Sequence, residues 1–166
     1  MMTRLPYLAF TLLGIVLLVD LALTVPSMSE PVATHFDGAG RPNGWMSRGG
    51  YALFMAAFGI GLPLLIVALV RVVPRWFPNR LSIPNRSFWL AVERRDETLQ
   101  FLKWHMGWLA ALMVFFVIAI HHLIIMANAS RPPALPHAPF FFVIGCFLAG
   151  MAVWMVLLWL RFRQTP

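Results

Sequence analysis

Four stretches of this chain are apolar at almost every position, and the polar residues crowd into the segments between them. The first runs from about Leu5 to Val25 and is broken only by Asp20. The second, Tyr51 to Val70, carries no charge; the third, Trp104 to Ala127, contains His105, His121 and His122; the fourth, Phe140 to Leu160, is again uncharged. About 20 mostly apolar residues in a helix cross a hydrocarbon core, so each stretch predicts one transmembrane helix. Pro63 is expected to kink its span without ending it, because neighbouring helices can satisfy the freed carbonyl. Arg4 resembles the charged start of a cleaved secretory signal, but the apolar run behind it is too long and no Ala-x-Ala site follows. The first stretch is therefore expected to be a retained span. Ala57 with Gly61, Gly107 with Ala111 and Gly145 with Ala149 place small residues four apart, a spacing that lets helices approach closely and that also recurs by chance in such compositions.

The segments between the spans are equally patterned. Val32 to Phe36 reads as a short extended strand, and Pro42-Asn43-Gly44 as turn chemistry, with Gly38 and Gly40 free to take positive φ. Ser47 stands where it can cap the second span. Between the second and third spans, Pro84 and Asn85 mark a turn. Phe88, Val92, Leu99, Leu102 and Met106 then recur at helical spacing, interrupted at Arg95. That spacing predicts an amphipathic helix along the inner membrane surface. The predicted fold is thus an all-α integral membrane protein of four transmembrane helices with a short outer hairpin-like loop, one polytopic domain over residues 1–166. Residues 5–72 form a first helical hairpin, 73–103 the inner loop and its surface helix, and 104–166 a second helical hairpin.

Composition supports lipid as the solvent: 60% of the residues are hydrophobic and 11% charged, against about a quarter charged in soluble domains. The formal charge of +7 is read as topology rather than as a nucleic-acid signal, because Lys and Arg gather on the cytoplasmic side of membrane proteins. Arg4, Arg71, Arg75, Arg80, Arg86, Arg94, Arg95, Lys103, Arg161 and Arg163 fall on one side, and only Arg41, Arg48 and Arg131 on the other. Both termini are therefore expected in the cytoplasm, with residues 26–50 and 128–139 facing outward. Trp45, Trp76, Trp104, Trp108 and Trp159 all fall near span ends, where indole rings prefer to sit. Cys146 is the single cysteine and offers no intrachain disulfide.

Candidate chemistry lies mostly at the outer level. Asp20 sits about 8 Å inside the outer end of its span at ~1.5 Å per residue, and His121 and His122 lie at a similar depth in the third. His35 and Asp37, two apart on the expected strand, point to one side. Two readings stay open for these five. They can form a metal or proton site, since imidazole and carboxylate suit Zn and other transition metals. Alternatively Asp20 bonds one histidine and pins the first span to the third, while the loop pair stabilises its own turn. Adjacent His121 and His122 point about 100° apart on a helix, which disfavours one ion for both. His105 reads as an interfacial, headgroup-facing residue. Arg80, Arg86, Trp89, Arg94 and Arg95 of the inner loop are expected to meet anionic headgroups, each cation worth about 1 kcal/mol, or to dock a cytoplasmic partner. Trp45 and Arg48 are the expected contact residues of the outer loop.

That outer loop, Pro31-x-x-x-His35-Phe36-Asp37-x-x-Gly40-x-Pro42-Asn43-Gly44-Trp45-x-Ser47-Arg48, resembles the bacterial membrane domain of unknown function DUF1648. The same domain forms the N-terminal part of SdpI-type immunity proteins, which protect cells against a sporulation-delaying toxin. Arg48 stands where the family's Lys would. The resemblance implies a bacterial cytoplasmic membrane location and an activity exerted by binding: sensing of, or immunity to, an envelope-directed peptide, or service as an accessory subunit. No phosphate loop, dinucleotide glycine motif, haem-attachment or zinc-protease motif accompanies it, and a non-enzymatic protein without a resident cofactor is expected. The expected partners are membrane lipids, a protein or peptide at the outer loop, and a second copy or a larger membrane complex, with no nucleic acid. The alternative is a small transporter or metal-binding protein that uses the Asp20 and histidine cluster.

Overall fold

The structure, a computed structural model, describes residues 4–76, 81 and 83–163. Among the described residues four helices are long and apolar enough to cross a membrane: Leu5–Ser27, Arg48–Pro74, Arg95–Ala129 and His137–Arg163. Within them α1 is Leu5–Thr24, and the second span is α2 (Arg48–Ala56) and α3 (Leu62–Trp76) joined by one π-helical turn, Ala57–Gly61. A one-turn helix, α4 (Arg86–Trp89), precedes α5 (Arg95–Ala129) and α6 (His137–Arg163). Between α1 and α2 stands an antiparallel hairpin, β1 (Val32–Phe36) and β2 (Pro42–Met46).

The core follows from helical spacing. Phe10, Gly14, Leu17 and Leu21 form one buried face of α1, and Gly107, Ala110, Ala111, Val114, Val117, His121 and Ile124 form one buried face of α5, each stepping three or four residues at a time. Small residues dominate the α5 face, and where lipid tails are as apolar as Leu it is close packing that joins helices. A Cβ on Gly107 would stand 3.0 Å from Pro6 Cβ, and one on Gly59 would stand 2.5 Å from Leu17 Cδ2 and 3.0 Å from Val117 Cγ1. Gly61 and Gly145 face open space. Of the expected small-residue pairs, then, Gly107 with Ala111 sits at a helix contact, and Gly59 is the close-approach residue of the second span.

Pro63 has no N–H to give, and the ladder widens immediately before it, the Leu62 amide bonding the Ala57 carbonyl five residues back. That wider turn carries Gly59 into the crevice between α1 and α5.

At the arginine-rich end the amphipathic surface helix of the sequence reading gives way to two pieces. α4 ends at Trp89, Val92 is fully in the open, and Arg95 begins α5, which runs without a break into the third span. At ~1.5 Å per residue its 35 residues reach about 52 Å, well beyond a ~30 Å hydrocarbon core. The elbow is held by polar bonds. Thr98 Oγ1 donates to the Trp89 carbonyl (2.9 Å), and Trp89 Nε1 and Asn85 Nδ2 both donate to the Phe162 carbonyl (3.2 and 3.1 Å). Asn85 takes the left-handed conformation (φ 51°), which a short polar side chain tolerates. Tyr7 of α1 bonds the Lys103 carbonyl (2.8 Å) and Arg161 of α6 pairs with Glu97, so the first turn of α1 and the last turn of α6 share this end.

His105 does not face headgroups. It is buried, stacks on Trp154 with ring centroids 4.7 Å apart, and donates from Nε2 to the Trp154 carbonyl (3.0 Å), while Trp154 Nε1 donates back to the His105 carbonyl (3.0 Å). This reciprocal clasp holds α6 to α5. The remaining α6 surface is largely exposed apolar side chain, suited to lipid.

Candidate functional site

The hairpin lies across the span ends opposite the arginine-rich elbow. Its turn is Asp37 to Arg41. Asp37 Oδ1 accepts the amides of Ala39 (2.9 Å) and Arg41 (2.8 Å), and Gly40 takes φ +75°. A Cβ on Gly40 would stand 2.8 Å from His137 Nε2 and 3.0 Å from the Leu135 carbonyl, so glycine is required there by conformation and by contact. Pro42, Asn43 and Gly44, read from sequence as the turn, are instead the first residues of β2. The Asp37 carboxylate closes the chain reversal earlier. Gly44 leaves room for the His35 side chain opposite it, since a Cβ on Gly44 would stand 3.1 Å from His35 Cβ.

Asn128, the last polar residue of α5, seats the hairpin. Its Oδ1 accepts the Ala33 amide (2.9 Å) and the Ser29 hydroxyl (3.2 Å), and its Nδ2 donates to the Ala33 carbonyl (2.9 Å) and the Ile124 carbonyl (2.9 Å). The amide thus acts as one residue of a third strand beside β1. Val32 and Ala33 are completely buried beneath, while Phe36 and Met46 pack on the helix core. Two further ties complete the seat. The Leu135 amide donates to the Gly40 carbonyl (3.0 Å), and the Glu30 carboxylate accepts the Arg48 amide at 3.1 Å and pairs with its guanidinium. A carboxylate at a helix N-terminus is favourable, and Ser47 adds its expected cap, accepting from the Gly50 amide at 3.1 Å. His35, Asn43 and Trp45 are left facing outward, Trp45 51% exposed.

Beneath the hairpin and deeper in the bundle, Asp20, His121 and His122 meet. Thr24 Oγ1 donates its one proton to the Asp20 carbonyl (2.7 Å), so its 2.8 Å contact with His121 Nε2 requires an N–H on that nitrogen. In the neutral ring Nδ1 then accepts, and the Tyr51 hydroxyl donates to it at 2.7 Å. His121 and Tyr51 are both buried. His122 Nδ1 donates to the Ile118 carbonyl (3.1 Å), and its ring is 58% exposed. Asp20 Oδ2 lies 3.5 Å from His122 Nδ1 and 3.9 Å from His121 Nε2. Both nitrogens are already committed elsewhere, and this buried oxygen accepts no hydrogen bond.

The five-residue site of the sequence reading is therefore not assembled. Asp20, His121 and His122 come together. Asp37 spends its carboxylate on its own turn, and His35 points away beside Thr34, with which Nδ1 shares a 3.2 Å contact. Among the described residues no three His, Cys, Asp or Glu side chains stand where they can hold a metal ion. A metal would have to take His121 from both Tyr51 and Thr24. Thr24, Tyr51 and Asn128 are not among the candidate site residues read from the sequence. The available signal was spacing: Thr24 is one turn from Asp20, and Asn128 lies two turns from His121 on the same α5 face.

The expected contact residues divide similarly. Trp45 is outward and Arg48 is tied to Glu30. Trp89, expected to meet lipid or a partner, is buried edge-on against Phe162, because the α4 turn folds it under the Arg161 guanidinium. Arg94 stacks over Phe88 at 3.9 Å and Arg95 donates to the Pro74 carbonyl (3.3 Å). Arg86 opens α4, and Arg80 lies outside the described residues.

Residues 11–60 match the family model of DUF1648, a domain of unknown function. The match takes in most of α1, the whole hairpin and all of α2, and ends inside the π turn. No curated protein and no solved structure matches the chain.

Proposed function

We propose that this chain is a multi-pass protein of the bacterial cytoplasmic membrane, with both termini in the cytoplasm, that acts by binding at its outer face. The observation that carries the reading is the hairpin: Asn128, Gly40 and Glu30 fix it rigidly to the span ends, while His35, Asn43 and Trp45 stay uncovered. A recognition surface benefits from such fixing, because little conformational freedom is then lost on binding, and an exposed Trp is a frequent anchor residue. The arginine count supports an outward hairpin, and the DUF1648 resemblance supports an envelope-directed peptide or a partner subunit as the ligand. A photo-crosslinking residue in place of Trp45 should trap one discrete protein or peptide adduct in intact cells. The same residue in place of lipid-facing Leu148 should not. Lipid-only products at both positions would refute the binding reading.

The unpartnered Asp20 oxygen favours a second reading, movement of protons or cations past Asp20 and His122. A carboxylate at this depth costs several kcal/mol less once it takes up a proton or a cation. Flux into proteoliposomes that disappears in Asp20→Asn, with crosslinking at position 45 preserved, would place transport ahead of binding.

A further inference from the structure

At the opposite end of the molecule, Arg4 at the N-cap of α1, Arg71 of α3 and Lys103 of α5 converge on one recess of about 440 Å³, whose other lining residues are Tyr7, Gln100 and Trp104. Among the described residues no acidic one lines it, and none of the three cations forms an ion pair with a carboxylate. Elsewhere at this end the excess charge is partly neutralised, as where Glu97 takes Arg161.

From this recess we infer a binding site for a phosphate group, carried by an anionic membrane lipid. Three like charges converging without a counter-charge are mutually unfavourable, and a phosphate oxygen cluster relieves all three through charge-assisted bonds. The geometry around them is already set. Arg71 is stacked on the Tyr7 ring with its guanidinium carbon 4.7 Å from the centroid, which leaves the edge N–H groups to donate. The Tyr7 hydroxyl is committed to the Lys103 carbonyl, and this bond draws α1 to the very turn of α5 that carries the ammonium. α1 begins without a side-chain cap and without an acidic residue in its first turn, so its positive end is uncompensated at the same place.

A lipid source is favoured over free phosphate by position. The recess opens at the level where the apolar faces of α1 and α3 end and where Trp104 stands, which is the depth of a headgroup. This site is independent of the hairpin reading, lies at the other end of the bundle and uses none of its residues.

The test is native mass spectrometry of the full chain released from mixed phosphatidylglycerol and phosphatidylcholine vesicles. Wild type should retain one phosphatidylglycerol preferentially. Arg71→Gln with Lys103→Gln should lower that preference about tenfold, the size expected for losing charge-assisted bonds. Arg4→Gln, at an exposed helix end, is the second variant and should lower it in the same direction without touching the Tyr7 stack. Arg163→Gln removes one charge from the same end, as Arg4→Gln does, and should leave the preference unchanged. Equal loss in Arg4→Gln and Arg163→Gln would reduce the effect to general surface charge and overturn the site. So would equal retention of the two lipids by wild type. Displacement of the bound lipid by millimolar inorganic phosphate would overturn the lipid assignment.

Discussion

The Tyr51–His121–Thr24 chain shows how one hydroxyl fixes a histidine tautomer. Thr24 has a single proton and gives it to the Asp20 carbonyl, so His121 must donate from Nε2 and accept from Tyr51 at Nδ1. The result is a three-helix polar joint in an otherwise apolar core. Interhelical hydrogen bonds in membranes average about 0.6 kcal/mol and reach ~1.7, and a buried acceptor left without its donor adds to the loss. Tyr51→Phe is therefore expected to destabilise the protein by about 1–2 kcal/mol in reversible unfolding from mixed micelles. Wild-type stability would mean that His121 finds another donor. Asp20 behaves differently, because its Oδ2 holds no hydrogen bond. Asp20→Asn should be at least as stable as wild type, and a loss above ~1 kcal/mol would instead reveal an ion pair with a protonated histidine.

Elements here are joined by side chains that imitate or displace backbone. Asn128 gives β1 the donor and acceptor of a missing strand, and it makes four hydrogen bonds in doing so. Asn128→Ala leaves the Ala33 amide and carbonyl unanswered in a buried place, at a cost of about 1–3 kcal/mol. Limited proteolysis between residues 31 and 46 should accelerate correspondingly, and unchanged cleavage would show that Gly40 and Glu30 suffice to hold the hairpin. The π turn makes a complementary case. In a helix Gly→Ala gains up to ~1 kcal/mol of propensity, whereas forcing a methyl into a filled contact costs about 1–3 kcal/mol. At Gly59, wedged against Leu17 and Val117, the second effect wins and Gly59→Ala should destabilise. At Gly61, which faces open space, the first wins and Gly61→Ala should be neutral or slightly stabilising. Equal effects at the two positions would contradict the observed crevice.

Across the whole molecule, hairpin and arginine-rich elbow occupy opposite ends, and the proposed orientation, which rests on the ten-to-three division of Lys and Arg, puts the elbow in the cytoplasm. Orientation is open to a direct check in a Cys146→Ser background. Cysteine introduced at Asn43 should react with an impermeant maleimide on intact cells, and cysteine at Arg163 only after permeabilisation. The reverse pattern would invert the protein and move the recognition surface inside. α6 contributes little to the common core and is held by the His105–Trp154 clasp, the Phe162 carbonyl and the Arg161–Glu97 pair, so the first three spans carry hairpin and polar joint alike.

The chain by itself determined the four spans, their limits to within a few residues at the hairpin end, β1 at Val32–Phe36, the Ser47 cap and the loop motif that the DUF1648 match bears out. These are local or periodic signals: a long apolar run has only helix available in lipid, and a cap is read from its neighbours. Only the tertiary structure decided that His35 and Asp37 stand apart from Asp20, that His105 clasps α6, that Trp89 turns inward and that Asn128 seats the hairpin. Each of these depends on which faces of distant helices meet. In an apolar span almost every face is equally soluble in lipid, so hydrophobic pattern is silent there. Small-residue packing and single hydrogen bonds make the choice, and a chain read residue by residue does not contain their distances.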